Sequence, residues 1–423
     1  TCDNTRVYIS QMENAAHAIT VVDALTLEVA QRVTLPTAAW RLAVDPASNY
    51  LFAASSGQLI YVVDIRSDSP TFHQVVGRIT LPHARMASDG LAVSPDGRRL
   101  FVSTYEQVHV DGHIVVVNID PADPASAAWP VIADLHLMLQ NMTWHPGEIR
   151  PVDATRVLVT PRPYPTLSQP FVFRLTATDA DASDYDIGFI RTGLDRVEPY
   201  DGSLDPNMIA RAIENPWDVA VLPDLSYAFV SDFGRPLPEG YYRVQRSAKV
   251  GVIRDPFGLQ GTPRFIGSIA GVPNGYAGDI ALAPDGSRLF VTYRGTREIR
   301  VLDVAELRTV SEGLSPQERI DTPLDEVPGN HILRGVIHTP TLPFGLAMQT
   351  VRQAPTVSIA GNSDHLSWQD NDSFTLTVTN TADPAATDRA VNVHVEIAGQ
   401  AADFLVDGAG QPLLPEYQQR LAP

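Results

Sequence analysis

The chain has 423 residues, of which 44% are hydrophobic and 19% charged, a balance that is typical of a globular protein and excludes a disordered one. Its formal net charge is −18 and it contains no run of Lys or Arg, so we expect no nucleic-acid partner. No stretch of about 18 apolar residues is present, so we also expect no membrane span. The 34 prolines and 28 glycines are spread along the whole length and predict short strands joined by turns.

Cys2 is the single cysteine of the chain, so the sequence predicts no internal disulfide framework. Three interpretations of Cys2 stay open: an incidental thiol, an intermolecular disulfide, and a lipid anchor attached after signal cleavage. No basic and apolar signal segment precedes Thr1, as in a mature, processed chain. We therefore expect a secreted or cell-surface protein of a bacterium or archaeon, with the periplasm as the alternative location.

Three short runs near the N-terminus predict strands: Arg6–Ser10, Ala18–Asp23 and Glu28–Leu35. They have the pattern of the second, third and fourth strands of a four-stranded unit. No first strand precedes them.

Four ungapped repeats dominate the following sequence, and Pro precedes Phe by six positions in each copy. Each repeat predicts an apolar strand, a tight turn of the Pro-Asp-Gly type and a second apolar strand. A third apolar run and a fourth, more polar run follow in most copies. Four antiparallel strands per repeat predict the blades of a β-propeller. The repeats are Leu42–Ser55, Leu91–Thr104, Val219–Asp232 and Ile280–Tyr293.

A degenerate fifth unit fills the gap between the second and third repeats, with Ile149–Thr160 as its first two strands and Phe171–Phe173 as its third. Pro343–Met348 has the pattern of an isolated first strand. Pairing Pro343–Met348 with Arg6–Ser10 would close the ring and remove exposed sheet edges. The sequence thus predicts an all-β fold with a six-bladed propeller over residues 1–352, and seven blades if a long insertion hides another.

The repeats resemble those of YVTN-type and lactonase-like β-propellers, in which x-Ala-Val-Ser-Pro-Asp-Gly-x-x-Leu-Phe-Val is followed by Val-x-Val-Ile-Asp. Leu91–Val102 shows the first pattern and Ile60–Asp64 the related strand. The resemblance covers about residues 5–350 and implies the propeller fold. It implies no single activity, because such blades occur in proteins with unrelated functions.

The C-terminal segment, residues 353–423, changes pattern to alternating apolar and Thr or Ser residues, which predicts half-buried sandwich strands. These strands are Thr356–Ile359, Ser373–Asn380 and Val391–Ile397. They resemble Ig-like repeats of microbial surface stalks, including the cell-adhesion-related type. The segment is shorter than the roughly 100 residues of a full sandwich. Three explanations stay open: the chain was cut, it continues in a longer protein, or a neighbouring chain supplies the missing strands.

Long predicted loops gather on one face of the propeller, around the central channel, and this face is the candidate ligand site. The His109-Val-Asp-Gly-His113 segment with Glu106 is the most metal-like cluster, but polar hairpin residues are the favoured interpretation, because this spacing on a β-loop does not make both imidazoles converge. A mixed His and carboxylate site there would suit Ca²⁺ or another divalent metal. The candidate ligand-binding residues are His83, Asp89, Glu106, His109, His113, His145, Glu148, Tyr276 and Asp279.

No sequence motif of a catalytic nucleophile, haem site or phosphate loop is present, which favours a non-enzymatic function. The first hypothesis is an extracellular binding or structural module, with a propeller head on an Ig-like stalk in a larger surface assembly. Its partner would be a protein, either a second copy or another surface component, or a carbohydrate. The alternative is a metal-dependent lactonase or hydrolase with its site at the channel mouth. A third hypothesis is a polymeric assembly completed by strand addition from the next chain.

Overall fold

The chain divides into two compact units, Thr1–Thr350 and Val351–Pro423. None of the helices that the structure describes is long and apolar enough to cross a membrane. The computed structural model describes residues 5–10, 17–24, 26, 28–55, 58–82, 86–106, 111–119, 129–139, 142–143, 145–161, 171–179, 183–193, 212–213, 215–233, 248–270, 272, 276–339, 356–360, 375–379, 391–397 and 400–406.

Six antiparallel sheets follow one another along the first unit and form a six-bladed β-propeller, as the repeats predict. The N-terminal sheet, here blade 6, consists of β1 (Arg6–Ser10), β2 (Ala18–Asp23) and β3 (Val29–Thr34) in sequence order. These strands match the three predicted N-terminal runs. The predicted closing strand Pro343–Met348 lies outside the described residues, so ring closure through it stays a prediction.

The other five blades each contain four strands paired in sequence order, and a small hairpin separates blades 2 and 3. Blade 1 is β4 (Ala39–Val44), β5 (Tyr50–Ser55), β6 (Leu59–Asp64) and β7 (Val75–Thr80); blade 2 is β8 (Met86–Val93), β9 (Arg99–Glu106), β10 (Asp111–Asn118) and β11 (Val131–His136); the hairpin is β12 (Met138–Leu139) and β13 (Met142–Thr143); blade 3 is β14 (Pro146–Pro151), β15 (Arg156–Pro161), β16 (Phe171–Thr176) and β17 (Asp186–Arg191); blade 4 is β18 (Pro216–Val221), β19 (Tyr227–Asp232), β20 (Val250–Arg254) and β21 (Arg264–Ser268); and blade 5 is β22 (Ala277–Leu282), β23 (Arg288–Tyr293), β24 (Glu298–Asp303) and β25 (Leu333–His338).

The hydrophobic core lies between neighbouring blades, because the neighbouring blades cover both faces of each sheet. Phe52 of blade 1 packs in one cluster with Leu100 and Val117 of blade 2, and Phe229 of blade 4 packs in another with Val291 of blade 5. Strands buried on two faces need continuous apolar runs rather than alternation. This explains why the second and third strands of the repeats are almost entirely apolar.

The turn between the first and second strands has the same conformation in all four ungapped repeats. The residue two positions after the repeat proline has positive φ in each: Ser48 (57°), Gly97 (74°), Leu225 (60°) and Gly286 (70°). Glycine adopts this left-handed conformation without strain, whereas Ser and Leu do so at an energetic cost. The Pro-Asp-Gly turn predicted from the sequence is therefore present even where glycine is replaced.

A helical insertion between β24 and β25 departs from the predicted pattern of strands and turns. It contains α1 (Val304–Gly313) and α2 (Pro316–Asp321). Asp303 caps α1 by accepting a hydrogen bond from the Glu306 amide at 3.0 Å, and Ser315 forms a capping box with α2. Leu307 of α1 is buried in the core shared by blades 4 and 5, so tertiary packing supports this short insertion.

The second unit contains two separate antiparallel hairpins in its described residues. Three of their four strands fall within or near the predicted runs, and the fourth was not predicted. An Ig-like sandwich stays a prediction. The pairs are β26 (Thr356–Ala360) with β27 (Thr375–Thr379), and β28 (Val391–Ile397) with β29 (Gln400–Val406).

Candidate functional site

The first strand of each of blades 1 to 5, which is the innermost strand of the blade, contains a bulge. The bulge lies near the N-terminal end of the strand, next to the loop from the preceding blade. A bulge adds a residue to one strand and redirects its side chains. The redirected residues therefore lie at the loop-side end of the channel, here called the channel mouth. The register shifts occur between Ala39 and Arg41, Ala87 and Leu91, Pro146 and Ile149, Pro216 and Val219, and Ala277 and Ile280.

A hydroxyl group from the second strand holds each of four bulges in place. In blade 4, the Asp218 amide donates to Ser231 Oγ at 3.1 Å; in blade 2, the Gly90 amide donates to Ser103 Oγ at 2.6 Å. In blade 3, the Glu148 amide donates to Thr160 Oγ1 at 3.1 Å, whereas in blade 5 Thr292 Oγ1 donates to the carbonyl oxygen of Asp279 at 3.2 Å. The four hydroxyls occupy one repeat position, so the repeat itself fixes the mouth geometry.

Two arginines and three carboxylates meet at these bulges and form what we call the mouth cluster: Arg41, Glu148, Arg150, Asp218 and Asp279. Arg41 Nη2 of blade 1 lies 2.5 Å from Glu148 Oε1 of blade 3. The intervening blade 2 has Gly90 at its bulge. A Cβ atom there would lie 2.4 Å from the carbonyl oxygen of Gly147, so glycine is required by the close approach of blades 2 and 3.

The remaining contacts of the mouth cluster run from blade 3 to blade 5. Arg150 Nη2 donates to both carboxylate oxygens of Asp218, at 2.9 and 3.1 Å. Asp218 Oδ2 in turn accepts the Ile280 amide at 3.1 Å. Trp217 Nε1 donates to Asp279 Oδ1 at 3.2 Å. Side chains from four blades thus lie together at the channel mouth, joined in pairs by one ion pair and by hydrogen bonds.

Burial within this network favours protonation of two of its carboxyl groups. Burial, followed by repulsion from Asp218 and Asp279, raises the pKa of Glu148 to about 8 against the attraction of Arg41 and Arg150. Burial also raises the pKa of Asp279, and the charge of Asp218 adds to the effect. Asp218 raises the pKa of Arg150, which therefore keeps its charge. With one carboxyl protonated, the two guanidinium groups balance the charge of the cluster.

Aromatic side chains border the mouth cluster. Trp217 stacks on Phe233 with ring centroids 4.7 Å apart, and Tyr276 tilts against Phe233 at 5.6 Å. The guanidinium of Arg294 lies 5.8 Å from the Phe233 ring centroid. Trp40 occupies the position in the blade 1 bulge that Trp217 occupies in blade 4, and it is 47% exposed.

Four of the nine candidate residues from the sequence lie at equivalent positions of two blades. His145 and Tyr276 immediately precede the inner strands of blades 3 and 5, and Glu148 and Asp279 lie in the bulges of those strands. The His145 ring packs against Tyr105, with centroids 4.7 Å apart. The structure therefore brings Glu148 and Asp279 into one cluster, with His145 and Tyr276 at its border.

Of the other five candidates, His113 has a described side chain and lies outside this cluster, and the remaining four side chains lie outside the described structure. His113 lies at the start of β10, where its ring stacks on His136 at 4.5 Å and its Nδ1 is 3.0 Å from Asp134 Oδ1. The backbones of Asp89 and Glu106 lie on β8 and β9, and their side chains are outside the described structure. His83 and His109 are also outside it. Among the described side chains, no group of three or more His, Cys, Asp or Glu residues could hold a metal ion.

The sequence analysis missed three members of the mouth cluster: Arg41, Arg150 and Asp218. A signal for two of them was present, because Arg41 and Asp218 immediately precede the repeat's first strand pattern, as Glu148 and Asp279 do. Comparing that one position across the repeats would have selected all four residues. Nothing in the local sequence distinguishes Arg150.

Comparisons with known proteins support the fold. No family model matches the chain, and no curated protein does. Among solved structures, the chain is similar to hydrazine synthase of Kuenenia stuttgartiensis, with a TM-score of 0.59 and 16% identity over 81% of this chain and 86% of that one. A Lactobacillus plantarum protein has a TM-score of 0.50 and 14% identity over 96% and 93% of the two chains. These identities are too low to transfer a function, and the comparisons establish the β-propeller fold alone.

Proposed function

We propose that this protein is a binding module that receives a small polar ligand, or the polar end of a larger one, at the channel mouth. The observation that carries the proposal is the convergence of five charged side chains from four blades, next to half-exposed aromatic rings. Ligand sites in proteins commonly combine a concave surface, aromatic walls and a few fixed polar groups. The mouth has the aromatic rings and the fixed polar groups.

Several contacts favour binding over metal-dependent catalysis. The carboxylates of Asp218 and Glu148 are engaged by Arg150 and Arg41, and Asp279 accepts a hydrogen bond from Trp217. A metal ion would have to displace these partners. The side chains of Arg41 and Arg150 are 32% and 43% exposed.

A hydrolase of the lactonase type is the second candidate function, and the raised pKa of Glu148 favours it. A carboxyl group that stays protonated near neutral pH can act as a general acid. Hydrazine synthase carries an enzyme name, and so does a Bacteroides uniformis protein described provisionally as a 6-phosphogluconolactonase. Each is 16% identical to this chain, so neither name supplies a reaction here. Under this candidate, Ca²⁺ or another divalent metal would be needed for activity.

Presentation of the propeller outside the cell, on an Ig-like stalk within a surface assembly, belongs to the same proposal. The alternating strands of residues 353–423 support it. A protein partner that adds strands to the second unit would be compatible with its two hairpins.

The binding proposal is tested by a thermal-shift screen of the full chain against saccharides, organic acids, amines, peptides and divalent cations. A ligand that binds the folded state raises the unfolding midpoint. We expect the shift to be lost in the double variant Arg41→Gln, Glu148→Gln, which removes one ion pair of the mouth. The double variant Arg308→Gln, Asp224→Asn removes an exposed pair with a 4.0 Å separation and should keep the shift.

Two results would contradict the binding proposal. Hits that shift both double variants equally would place the ligand outside the mouth. Metal-stimulated lactone hydrolysis that the native chain performs and the mouth variant loses would instead establish the enzyme.

A further inference from the structure

Two tryptophans occupy the same repeat position on opposite sides of the channel mouth. Trp40 lies in the bulge of blade 1 and Trp217 in the bulge of blade 4. In a ring of six blades, blades 1 and 4 are three steps apart and therefore face each other across the channel. Trp40 is 47% exposed, whereas the other five residues of its inner strand are buried or half-buried.

An exposed tryptophan on a channel-lining strand is costly in water unless a ligand covers it. Trp217 is oriented by two contacts, the stack on Phe233 and the Nε1 hydrogen bond to Asp279. These contacts fix the ring plane before any ligand arrives, which reduces the entropy lost on binding. The face of an aromatic ring attracts C–H groups through its negative quadrupole. A ligand ring with an apolar face of C–H groups therefore suits the face of Trp217.

The partly exposed polar groups of the mouth cluster include both donors and acceptors. The guanidinium groups of Arg41 and Arg150 donate, and the half-buried carboxyl groups of Glu148 and Asp279 accept, whereas Asp218 is buried and bound by Arg150. A strongly anionic ligand would meet three carboxyl groups, and a strongly cationic one would meet two guanidinium groups. A neutral ligand with many hydroxyl groups satisfies both kinds of partner.

We propose that the channel mouth binds a neutral saccharide, with sugar rings stacked on Trp40 and Trp217 and hydroxyl groups bonded to the mouth cluster. A pyranose ring combines an apolar face of C–H groups with a rim of hydroxyls, which are the two chemistries that the mouth presents. This inference rests on the proposed binding function and names its ligand class.

The test is calorimetric titration of the full chain with soluble hexasaccharides. The probes are β-1,4-linked glucose, xylose and N-acetylglucosamine oligomers and the α-1,4-linked glucose oligomer. We expect at least one probe to bind and its affinity to fall at least about tenfold in Trp40→Ala and in Trp217→Ala, as for buried aromatic contacts elsewhere. Trp217→Phe keeps an aromatic face without the Nε1 donor and should lose less affinity. Phe189→Ala removes a ring that is 45% exposed on β17, an outer strand, and should leave binding unchanged.

Three results would overturn the saccharide proposal, and they separate it from the binding function. If none of the four probes binds while another class in the thermal-shift screen binds at the mouth, the ligand class is wrong and the binding function stands. If a probe binds but Trp40→Ala and Trp217→Ala titrate like the native chain, the saccharide binds elsewhere. If no class in either experiment depends on the mouth, both proposals fail.

Discussion

Neighbouring groups shift the pKa of Glu148 in opposite directions. Its side chain is 18% exposed, and its carboxyl group lies against Arg41, whose charge favours the ionised form. Burial outweighs that attraction, and the charges of Asp218 and Asp279 act in the same direction as burial. Glu148 is therefore a neutral carboxylic acid below about pH 8 and forms an ion pair with Arg41 above it.

The pKa of Glu148 makes the stability of the protein depend on pH. The folded value of about 8 exceeds the reference value of 4.5, so the folded state binds more protons between them and loses stability as pH rises. We expect Glu148→Gln to flatten the dependence of unfolding free energy on pH between about 5 and 8, by at most about 1.4 kcal/mol per pH unit. Urea titrations at several pH values measure this dependence.

The control for this prediction is Glu326→Gln, which changes an exposed glutamate in the 3-10 turn after α2. It should reproduce the native pH profile. Some dependence should persist in Glu148→Gln, because burial also raises the pKa of Asp279 and of Asp45. Parallel profiles for the native chain and Glu148→Gln would contradict the assignment.

The element that sets the mouth geometry is the pair of first and second strands in each blade. The hydroxyl of the second strand holds the bulge of the first in blades 2 to 5, whereas blade 1 has Ala54 at that position. Blade 1 is also the blade whose bulge carries the exposed Trp40. The bulge in blade 1 therefore lacks the hydroxyl contact that holds the other four.

Ser231→Ala tests the role of this hydroxyl. The Asp218 amide would lose its 3.1 Å partner in a buried position, and we expect the free energy of unfolding to fall by about 1–2 kcal/mol. Ser287→Ala removes an exposed turn hydroxyl, which donates to Asp285, and should change stability by less than about 0.5 kcal/mol. Chemical denaturation gives both values. Equal effects in the two variants would show that the bulge does not depend on the hydroxyl.

At the scale of the whole molecule, the inner strands of blades 2 and 3 approach each other closely. The Gly90 position illustrates this constraint, since an added Cβ would also lie 2.6 Å from Ile149 Cγ1 of the next blade. Interiors packed this tightly transmit a local change to their neighbours. A side chain at Gly90 would therefore act on the spacing between blades 2 and 3, beyond its own strand.

Gly90→Ala should destabilise the propeller by about 1–3 kcal/mol, because backbone atoms of blade 3 must move to admit the methyl group. It should also weaken ligand binding at the mouth, since Arg41 and Glu148 face each other across this position. Gly335→Ala on β25 is the matched control, as a Cβ atom there meets no atom within 4 Å. Denaturation and the thermal-shift screen measure the two effects, and a Gly90→Ala variant as stable as Gly335→Ala would contradict the packing argument.

The sequence by itself determined the blades of this protein, because strands, turns and their repeat depend on local residue patterns. Pro46 and Phe52, with their counterparts in three other repeats, locate one hairpin per blade, and a six-residue spacing needs no tertiary information. The helical insertion escaped prediction because α1 and α2 are short and are supported by packing of residues such as Leu307 against distant strands.

The contacts within the mouth cluster depend on the tertiary structure. Glu148 and Asp279 could be selected from the sequence as loop-side carboxylates, but their partners could not. Arg41 reaches Glu148 because the closed ring brings the inner strand of blade 1 near that of blade 3. Arg150 reaches Asp218 because adjacent inner strands are side by side in space, although a whole blade separates them in the chain. Such contacts depend on the curvature of the closed ring, which no local pattern of residues encodes.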